Sequence, residues 1–340
     1  MPLLLDASPT TSAAATGRAA ADGRDVDLLV LGEVNPDIIV HAPDPRPIFG
    51  QVERWVDGIE LVIGSSSVIA ACGAARLGLR VAIAGVVGDD AFGRFMLAAM
   101  RDHGLDTSAV RVDPAVPTGA TVILASATDR AILTAAGTIP LLRAADIPER
   151  LLARARHVHA GSVFLLDALR PDLPALFRAV RVRGGTTSAD TNWDPSGSWD
   201  VLGLLAETDV FLPNAGEATR IARVAGIESA DAEGVARALV ALGPRVVAVK
   251  LGREGALAAD AEGRVARCLA LPVDPVDAIG AGDSFDAGFL AGWLGGRSLE
   301  ACLAIAVACG SLSTRAAGGT ASQPTLAEAE AAARVAGLLP

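Results

Sequence analysis

Residues 274–292 read Asp-Pro-Val-Asp-Ala-Ile-Gly-Ala-Gly-Asp-Ser-Phe-Asp-Ala-Gly-Phe-Leu-Ala-Gly, a glycine-rich turn that runs directly into an amphipathic helix pattern. Gly280, Ala281 and Gly282 carry little or no side chain, so their N–H groups can close on an anion at the helix N-terminus. Asp283 stands at the same place, where the helix dipole favours an ionised carboxylate. Such a pair suits phosphoryl transfer to an alcohol: the N–H groups stabilise the phosphoryl charge, and the carboxylate orients and deprotonates the hydroxyl.

The chain around this segment alternates between strand and helix patterns. Its first apolar run ends in a glycine and suits a buried strand. Predicted strands cover residues 27–32, 80–87, 157–160, 186–190, 209–212 and 246–250. Predicted helices cover residues 65–77, 90–103, 171–182, 215–224 and 231–242. This alternation predicts an α/β fold, a doubly wound and mostly parallel sheet flanked by helices.

Two stretches interrupt the alternation. Residues 38–63 and 118–133 are extended patterns with turn residues, and together they predict a small β lid that projects from the α/β core. Residues 1–25 are rich in Ala, Thr, Ser and Gly without periodicity, which predicts a disordered extension. Residues 26–340 are then expected to form one domain with the lid.

Composition excludes several classes of function. The net charge of −10 argues against a nucleic-acid partner, which requires a basic surface. No apolar run approaches the roughly 20 residues that a membrane span needs, and no basic region precedes the first apolar stretch, so we expect neither a membrane association nor a secretory signal. The four cysteines are scattered without metal-ligand spacing. A cytoplasmic location is the expectation.

Segment 277–285 fits Asp-x-x-Gly-Ala-Gly-Asp-x-Phe at every fixed position and resembles the C-terminal signature of the PfkB/ribokinase family. Without its neighbours, the turn would also fit an ordinary helix start with a first-turn acid. Further segments resemble family motifs in the same order along residues 26–326: Gly32-Glu-Val-Asn35-Pro-Asp37, residues 64–71, Gly88-Asp-Asp90-Ala-Phe-Gly93, Asn214-Ala-Gly-Glu217 and Lys250-Leu-Gly252-Arg-Glu-Gly255. Neither a Walker motif nor a dinucleotide-binding Gly-x-Gly-x-x-Gly accompanies the first strand.

The resemblance implies three groups of site residues. The catalytic group would be Asp283 with the anion turn Gly280, Ala281 and Gly282. Acceptor hydroxyls would be held by Asp37, Asn35, Gly64 and Ser65. The nucleotide would lie against Asn214, Glu217, Lys250, Gly252 and Gly255.

Two cation sites follow from the same resemblance. Glu217 would contact Mg²⁺ through water, unless it is simply a solvated acid in the first turn of its helix. Asp277 and Ile279, with backbone carbonyls from residues 315–319, fall where related kinases hold a monovalent cation such as K⁺. Lys250, the only lysine of the chain, would reach a nucleotide phosphate or be a chance survivor of an arginine-biased composition.

Three positions depart from the family pattern. Ser65 replaces a second glycine, and Ile69 replaces an asparagine that normally binds sugar hydroxyls. Asp194 replaces an arginine and would add negative charge near the acceptor. These changes predict an altered or less polar acceptor. In the lid, Phe49 and Trp55 would stack on a ligand or form the lid core.

The sequence thus predicts an ATP- and Mg²⁺-dependent kinase of the ribokinase-like type that phosphorylates a hydroxyl of a small unphosphorylated sugar or sugar-like compound. A nucleoside kinase of the same fold is an alternative. A binding or regulatory protein without turnover is another, although such a protein should have lost Asp283 or a glycine of the turn. The partner would be a small polyhydroxy compound, and a homodimer formed through the lid is a further expectation.

Overall fold

The computed structural model of the chain describes residues 23–125 and 130–340. Apart from residues 23–25, the predicted disordered extension lies outside the described residues. The strands are β1 (Val26–Leu31), β2 (Pro36–His41), β3 (Gly58–Ile63), β4 (Val81–Gly88), β5 (Asp106–Asp113), β6 (Ala120–Ala125), β7 (Arg130–Ala135), β8 (Ala155–Ala160), β9 (Thr186–Ala189), β10 (Val210–Phe211), β11 (Val246–Lys250), β12 (Ala256–Asp260) and β13 (Val265–Cys268). The helices are α1 (Ser66–Arg76), α2 (Ala91–Asp102), α3 (Glu149–Arg154), α4 (Leu173–Val182), α5 (Leu202–Leu205), α6 (Ala215–Val224), α7 (Ala232–Val240), α8 (Ala281–Leu294), α9 (Leu299–Ser313) and α10 (Leu326–Val335).

A nine-stranded sheet forms the centre of the molecule, in the order β13–β12–β11–β10–β9–β8–β1–β4–β5. The strands from β11 to β5 are all parallel, whereas β12 and β13 add an antiparallel edge. The predicted α/β class with a mostly parallel sheet is confirmed.

Both faces of this sheet are covered, which explains the continuous apolar character of β1. Leu28 and Val30 point into a core shared with α1, α2, α8, α9 and α10. Leu29 and Leu31 point into a second core shared with α3, α4, α5, α6 and α7. A strand buried on both faces has no polar side, so its sequence does not alternate.

The two stretches that interrupt the alternation pair with each other in a second, four-stranded sheet of order β3–β2–β6–β7. Its regular strands are shorter than the extended patterns, because residues 42–57 form no strand. Pro43, Pro45 and Pro47 fall in that segment, and proline cannot donate to a strand ladder. On the inner face, Ile39 and Ile123 pack against Ile279 of the main domain.

The exposure of two aromatic residues contradicts one interpretation of the sequence. Phe49 and Trp55 are each 93% exposed, so they do not form the core of the second sheet. Among the described residues, no helix is both long and apolar enough to cross a membrane.

Candidate active site

The candidate residues come together at the carboxyl edge of the central sheet. Glu33 and Asn35 follow β1, Asp190 follows β9 and Lys250 ends β11. Ligands of open parallel sheets bind at this edge, because the strand ends and the following turns face the same space.

The glycine-rich turn adopts a conformation that only glycine accepts easily. Gly280 precedes α8 with a φ of 73°, in the left-handed region. A Cβ at this position would lie 2.6 Å from Cα of Gly319, so the turn packs directly on the backbone of that segment. The N–H of Ala281 already donates to the carbonyl of Ala278 at 3.4 Å. The N–H of Ser284 donates to the carbonyl of Gly280 at 2.8 Å, so the N–H groups of Gly282 and Asp283 are the ones that the helix start offers to an anion.

Asp283 is half-buried in the first turn of α8. Burial raises the pKa of its carboxyl to about 7, with a further contribution from Asp190, while Lys250 and a hydrogen bond from Ser66 act in the opposite direction. The helix N-terminus favours the ionised carboxylate, but desolvation and neighbouring negative charge outweigh this effect, so the net pKa is raised.

Lys250 forms the electrostatic centre of the site. Its Nζ lies 3.2 Å from Oδ2 of Asp190 and 3.1 Å from both carboxylate oxygens of Asp286. Burial by itself lowers the pKa of Lys250, but the surrounding carboxylates outweigh it, so the net pKa is raised and the ammonium stays charged. Oxygens of Asp190, Asp283 and Asp286 lie within 4.8 Å of one another, a spacing that would suit a metal ion. Lys250 already forms ion pairs with two of these three acids, Asp190 and Asp286.

Asn214 and Glu217 hold each other at the start of α6. The Glu217 carboxylate accepts from the backbone N–H and the side-chain amide of Asn214, and the Asn214 side chain accepts from the Glu217 N–H at 3.0 Å. This is a reciprocal capping box. Burial raises the pKa of Glu217 to about 7, helped by Asp190 and opposed by Lys250. Glu217 therefore supports Asn214, which is exposed at the same edge.

A cavity of about 510 Å³ opens beside the turn. Three of the predicted nucleotide residues line it: Lys250, Gly252 with a φ of 61° and Gly255 with a φ of 91°. Gly282 also lines the cavity and directly precedes Asp283 in the chain. Much of the remaining wall is apolar and includes Leu271, Val273, Phe285 and Val307.

The predicted acceptor residues lie on and before β2 and between β3 and α1. Asp37 is buried, and a Cβ on Gly64 would lie 2.2 Å from its Oδ1, so the glycine makes room for this carboxylate. The Asn35 amide lies 3.4 Å from the Thr121 hydroxyl of β6. The acceptor residues thus stand between the main domain and the inner face of the second sheet.

Ser65 contributes differently from the prediction. Its hydroxyl donates to the carbonyl of Glu33 at 2.6 Å and accepts from the N–H of Val68 at 3.1 Å. It caps α1 and holds an unusual φ of 68° for a residue other than glycine. The side chain therefore stabilises the helix start rather than reaching an acceptor.

Sequence reasoning missed a polar network beneath the acceptor residues. Glu33 accepts from the hydroxyls of Ser67 at 2.6 Å and Ser162 at 2.9 Å. The Asn192 amide donates to Ser162 and to Ser66, which also contacts Asp283. Glu33 lies inside the motif of residues 32–37 and Asn192 stands two residues before Asp194, so these positions were the available signal.

Asp277 and Ile279 occupy the turn before α8. The Asp277 carboxylate accepts from the N–H of Ile279 at 2.9 Å and of Gly318 at 3.0 Å. The backbone N–H of Asp277 donates to the carbonyl of Thr314 at 3.1 Å. The carboxylate thus ties the turn to the segment expected to supply carbonyl ligands.

Comparison with known proteins identifies the family. The family model described as "pfkB family carbohydrate kinase" matches residues 27–326. The chain belongs to the pfkB family of carbohydrate kinases. It is 33% identical over 281 residues to a fructokinase of Klebsiella pneumoniae, which covers 77% of this chain and 88% of the fructokinase. It is 32% identical over 266 residues to an ATP-dependent ribose-1-phosphate kinase of Halopiger xanaduensis, which covers 77% of this chain and 83% of that enzyme.

The fold of this pfkB kinase is also found among solved structures. A ribokinase II of E. coli, determined in complex with ATP and Mg²⁺, superposes with a TM-score of 0.78 at 23% identity. The match covers 91% of this chain and 99% of that one. The predicted ribokinase-like fold and the predicted phosphotransferase class are both confirmed.

One departure from the pfkB pattern has a structural cause. Asp194 is 1% exposed, and its carboxylate accepts from Ser196 N–H (2.8 Å), Ser196 hydroxyl (2.7 Å), Ser198 hydroxyl (3.1 Å) and Trp199 N–H (2.6 Å). The negative charge of Asp194 is therefore stabilised by hydrogen bonds from its own loop, residues 196–199. The expectation that Asp194 adds negative charge to the acceptor pocket is therefore wrong.

Ile69 also differs from the family, and it packs on the turn. It is 3% exposed, and a Cβ on Gly280 would lie 3.0 Å from its Cγ2. An apolar side chain thus occupies the position of the family asparagine, between the acceptor side and the glycine-rich turn.

Proposed function

We propose that this pfkB kinase transfers the γ-phosphoryl group of ATP to a hydroxyl of a small unphosphorylated sugar or sugar-like compound, with Asp283 as the base. The observation that carries the proposal is the position of Asp283. Asp283 follows Gly282, which lines the cavity, and it accepts a hydrogen bond from Ser66, which follows the predicted acceptor residues Gly64 and Ser65. An acid between two binding spaces can serve a reaction between their occupants.

In this arrangement ATP lies in the 510 Å³ cavity, with its base against the apolar wall and its phosphates near Gly252, Gly255 and Gly282. The acceptor hydroxyl faces Asp283 and attacks the γ-phosphorus as the bond to the ADP oxygen breaks. Its proton passes to the Asp283 carboxylate. N–H groups at the start of α8 stabilise the charge on the transferred group.

The cation sites follow from the same geometry. Mg²⁺ supplies charge neutralisation at the nucleotide phosphates. Asn214, supported by Glu217, is exposed at the sheet edge and would hold its water shell, and oxygen donors of this kind suit Mg²⁺. A monovalent cation such as K⁺ would lie by Asp277 and Ile279, and the proposal is supported by the hydrogen bonds that draw residues 314 and 318 to this turn.

An acceptor without phosphate is favoured by the charges of its pocket. Glu33, Asp37 and Asp283 are acids, and Lys250 is engaged by Asp190 and Asp286. None of the acceptor-side residues named above is a cation, whereas a sugar phosphate requires at least one. A carboxylate such as that of Asp37 accepts hydrogen bonds from sugar hydroxyls of the strong, charge-assisted kind.

A substrate panel tests the proposal. ADP release with ATP·Mg²⁺ would be measured for D-fructose, D-ribose, ribose 1-phosphate and adenosine. We expect turnover with an unphosphorylated sugar and little with ribose 1-phosphate. Preference for the sugar phosphate would refute the acceptor assignment, and preference for adenosine would make the protein a nucleoside kinase. Absence of ADP release with every compound would favour a binding protein.

The second sheet is proposed to act as a lid and as a dimer surface. Its inner face carries Asp37 and Thr121 toward the acceptor side, so closure there would keep water from the phosphoryl group. Its outer face is aliphatic across all four strands, with Ile59 66% and Leu133 62% exposed. A continuous exposed apolar face of this kind marks an interaction surface, and a second copy of the chain would present the same face.

A further inference from the structure

Lys250 has no donor left for a phosphate. An ammonium group has three N–H donors. Its contacts with Oδ2 of Asp190 and with both oxygens of Asp286 engage that capacity, and its side chain is only 13% exposed. Turning toward the nucleotide would leave two buried carboxylates without their cation, which is strongly unfavourable.

The same lysine lies directly under the glycine-rich turn. A Cβ added at Gly282 would be 3.7 Å from Cδ and Nζ of Lys250, so the stem and the ammonium lie alongside the turn. Asp283 follows Gly282 in the chain. Lys250 thus lies beside the residue that immediately precedes the base.

The choice of residue also points to this role. Every other side chain of this sequence that is positively charged at neutral pH is an arginine. A planar guanidinium spreads its donors in a fixed fork, whereas an ammonium is compact and can direct three donors to two carboxylates in a small buried space. The single lysine stands where that geometry is needed.

We propose that Lys250 is a positioning residue for phosphoryl transfer, whose ammonium, held by Asp190 and Asp286, keeps Asp283 in place and available as the base without binding the nucleotide phosphates. This inference rests on the proposed role of Asp283. It assigns Asp286, one turn along α8, to the anchoring of the lysine.

Several charged groups face this cluster from different elements. Asp190 after β9 and Glu33 after β1 oppose ionisation of Asp283, and Lys250 of β11 favours it. Asp286 lies on the same helix as Asp283. Lys250 is also faced by Glu217 of α6, and the nearby His159 of β8 is neutral because burial lowers its pKa to about 4. Among the described residues, Lys250 is the only cation within ion-pair distance of Asp190 or Asp286.

Removing the charge of Lys250 and removing the charge of Asp286 should shift the pKa of Asp283 in opposite directions. Lys250→Met keeps the length of the side chain and removes its charge, so the pKa of Asp283 should rise by about one unit or more. Asp286→Asn removes a negative charge near Asp283 and leaves the Lys250 ammonium less neutralised, so the pKa of Asp283 should fall. The double variant Lys250→Met/Asp286→Asn should lie nearer to wild type than Lys250→Met does.

Two measurements test these expectations. The first is a ¹³C NMR titration of the Asp283 carboxyl, assigned with Asp283→Asn, which requires no acceptor. The second is the dissociation constant of ATP·Mg²⁺ by calorimetry, which should change little in Lys250→Met. Asp260→Asn is the matched control, since Asp260 is buried and paired with Arg264 at 2.6 Å on the distant strand β12. It should lower the melting temperature and leave the Asp283 titration unchanged.

The outcomes separate the hypotheses. If Lys250→Met binds ATP·Mg²⁺ roughly tenfold or more weakly while the pKa of Asp283 is unchanged, Lys250 is a phosphate ligand and the inference is overturned. If Lys250→Met changes neither the pKa of Asp283 nor the binding of ATP·Mg²⁺, Lys250 is a structural residue and the inference is also overturned. If Lys250→Met does not fold, the downward shift in Asp286→Asn remains decisive. Retained activity of Asp283→Asn would instead refute the proposed base.

Discussion

Asp283 shows how neighbours can reverse the effect of a helix terminus on an acid. The helix dipole favours its ionised form, but burial and the charge of Asp190 raise its pKa to about 7. A base with a pKa near the working pH can both accept the acceptor proton and release it again. Residue type and motif predicted the position of this acid, but its charge state depends on groups distant in sequence.

At this scale the first prediction concerns the base itself. Asp283→Asn cannot accept the alcohol proton, while the backbone N–H groups of the turn are unchanged. We expect kcat to fall by about 10²-fold or more, with ATP binding close to wild type. Steady-state kinetics and calorimetry with ATP·Mg²⁺ measure both quantities. Activity near the wild-type level would show that another group takes the proton.

The second residue-scale prediction concerns pH. A raised pKa means that Asp283 is protonated, and inactive as a base, below about pH 7. The kcat/KM of the acceptor at saturating ATP should therefore rise with pH through this region rather than through the ordinary range of an aspartate, near 4. A profile that is flat from pH 5 to pH 8 would contradict the raised pKa.

At the scale of elements, the loop between β9 and α5 depends on a single acid. Asp194→Ala would leave the buried Trp199 N–H without its acceptor, so unfolding should become easier by about 1–3 kcal/mol. Urea denaturation measures the change. Ser198→Ala removes only one of the hydroxyl donors and should cost less. Asp194→Arg, which restores the family residue, should cost more than alanine because it buries a guanidinium in a site built for a carboxylate. Equal stability of wild type and Asp194→Ala would contradict this role.

Elements differed in how well the sequence predicted them. Helices such as α6 and the buried strands β1 and β11 were predicted because their apolar patterns and caps are local signals. The hairpin β12–β13 was missed, since β12 reads Ala-Leu-Ala-Ala-Asp and alanine favours helices. Its strand conformation comes from antiparallel pairing with β11, a tertiary contact that the local sequence does not encode.

The candidate site was predictable to the extent that motifs carry it. Motif positions alone suggested Asp37, Gly64 and the glycine-rich turn as site residues, and their roles remain predictions. The contacts of Lys250 join residues 60 and 36 positions apart, and Asp286 lies one residue beyond the motif of residues 277–285, so no spacing rule predicted this cluster. Ser65 and Asp194 were misjudged because their hydrogen bonds are local to loops whose conformation becomes visible only in the folded chain.

At the scale of the whole molecule, the outer face of the second sheet predicts the oligomeric state. The register aligns Ile38 and Val40 with Leu61 and Ile59 on one side and with Val122 and Leu124 on the other, and the row continues to Leu133. A face that is aliphatic across four strands is an aggregation risk unless a partner covers it.

We therefore expect wild-type protein to sediment with twice the mass of one chain, and Ile59→Lys to sediment as a monomer, because a charge at the centre of a self-complementary apolar contact appears twice in a symmetric dimer. Analytical ultracentrifugation over a range of concentrations measures the association. Val182→Lys is the control, since Val182 is 82% exposed at the end of α4, far from this sheet in the fold, and should leave the mass unchanged. Ile59→Lys should still bind ATP, because the cavity is lined by other elements. A wild-type protein that stays monomeric at high concentration would mean that this face meets a different partner or none.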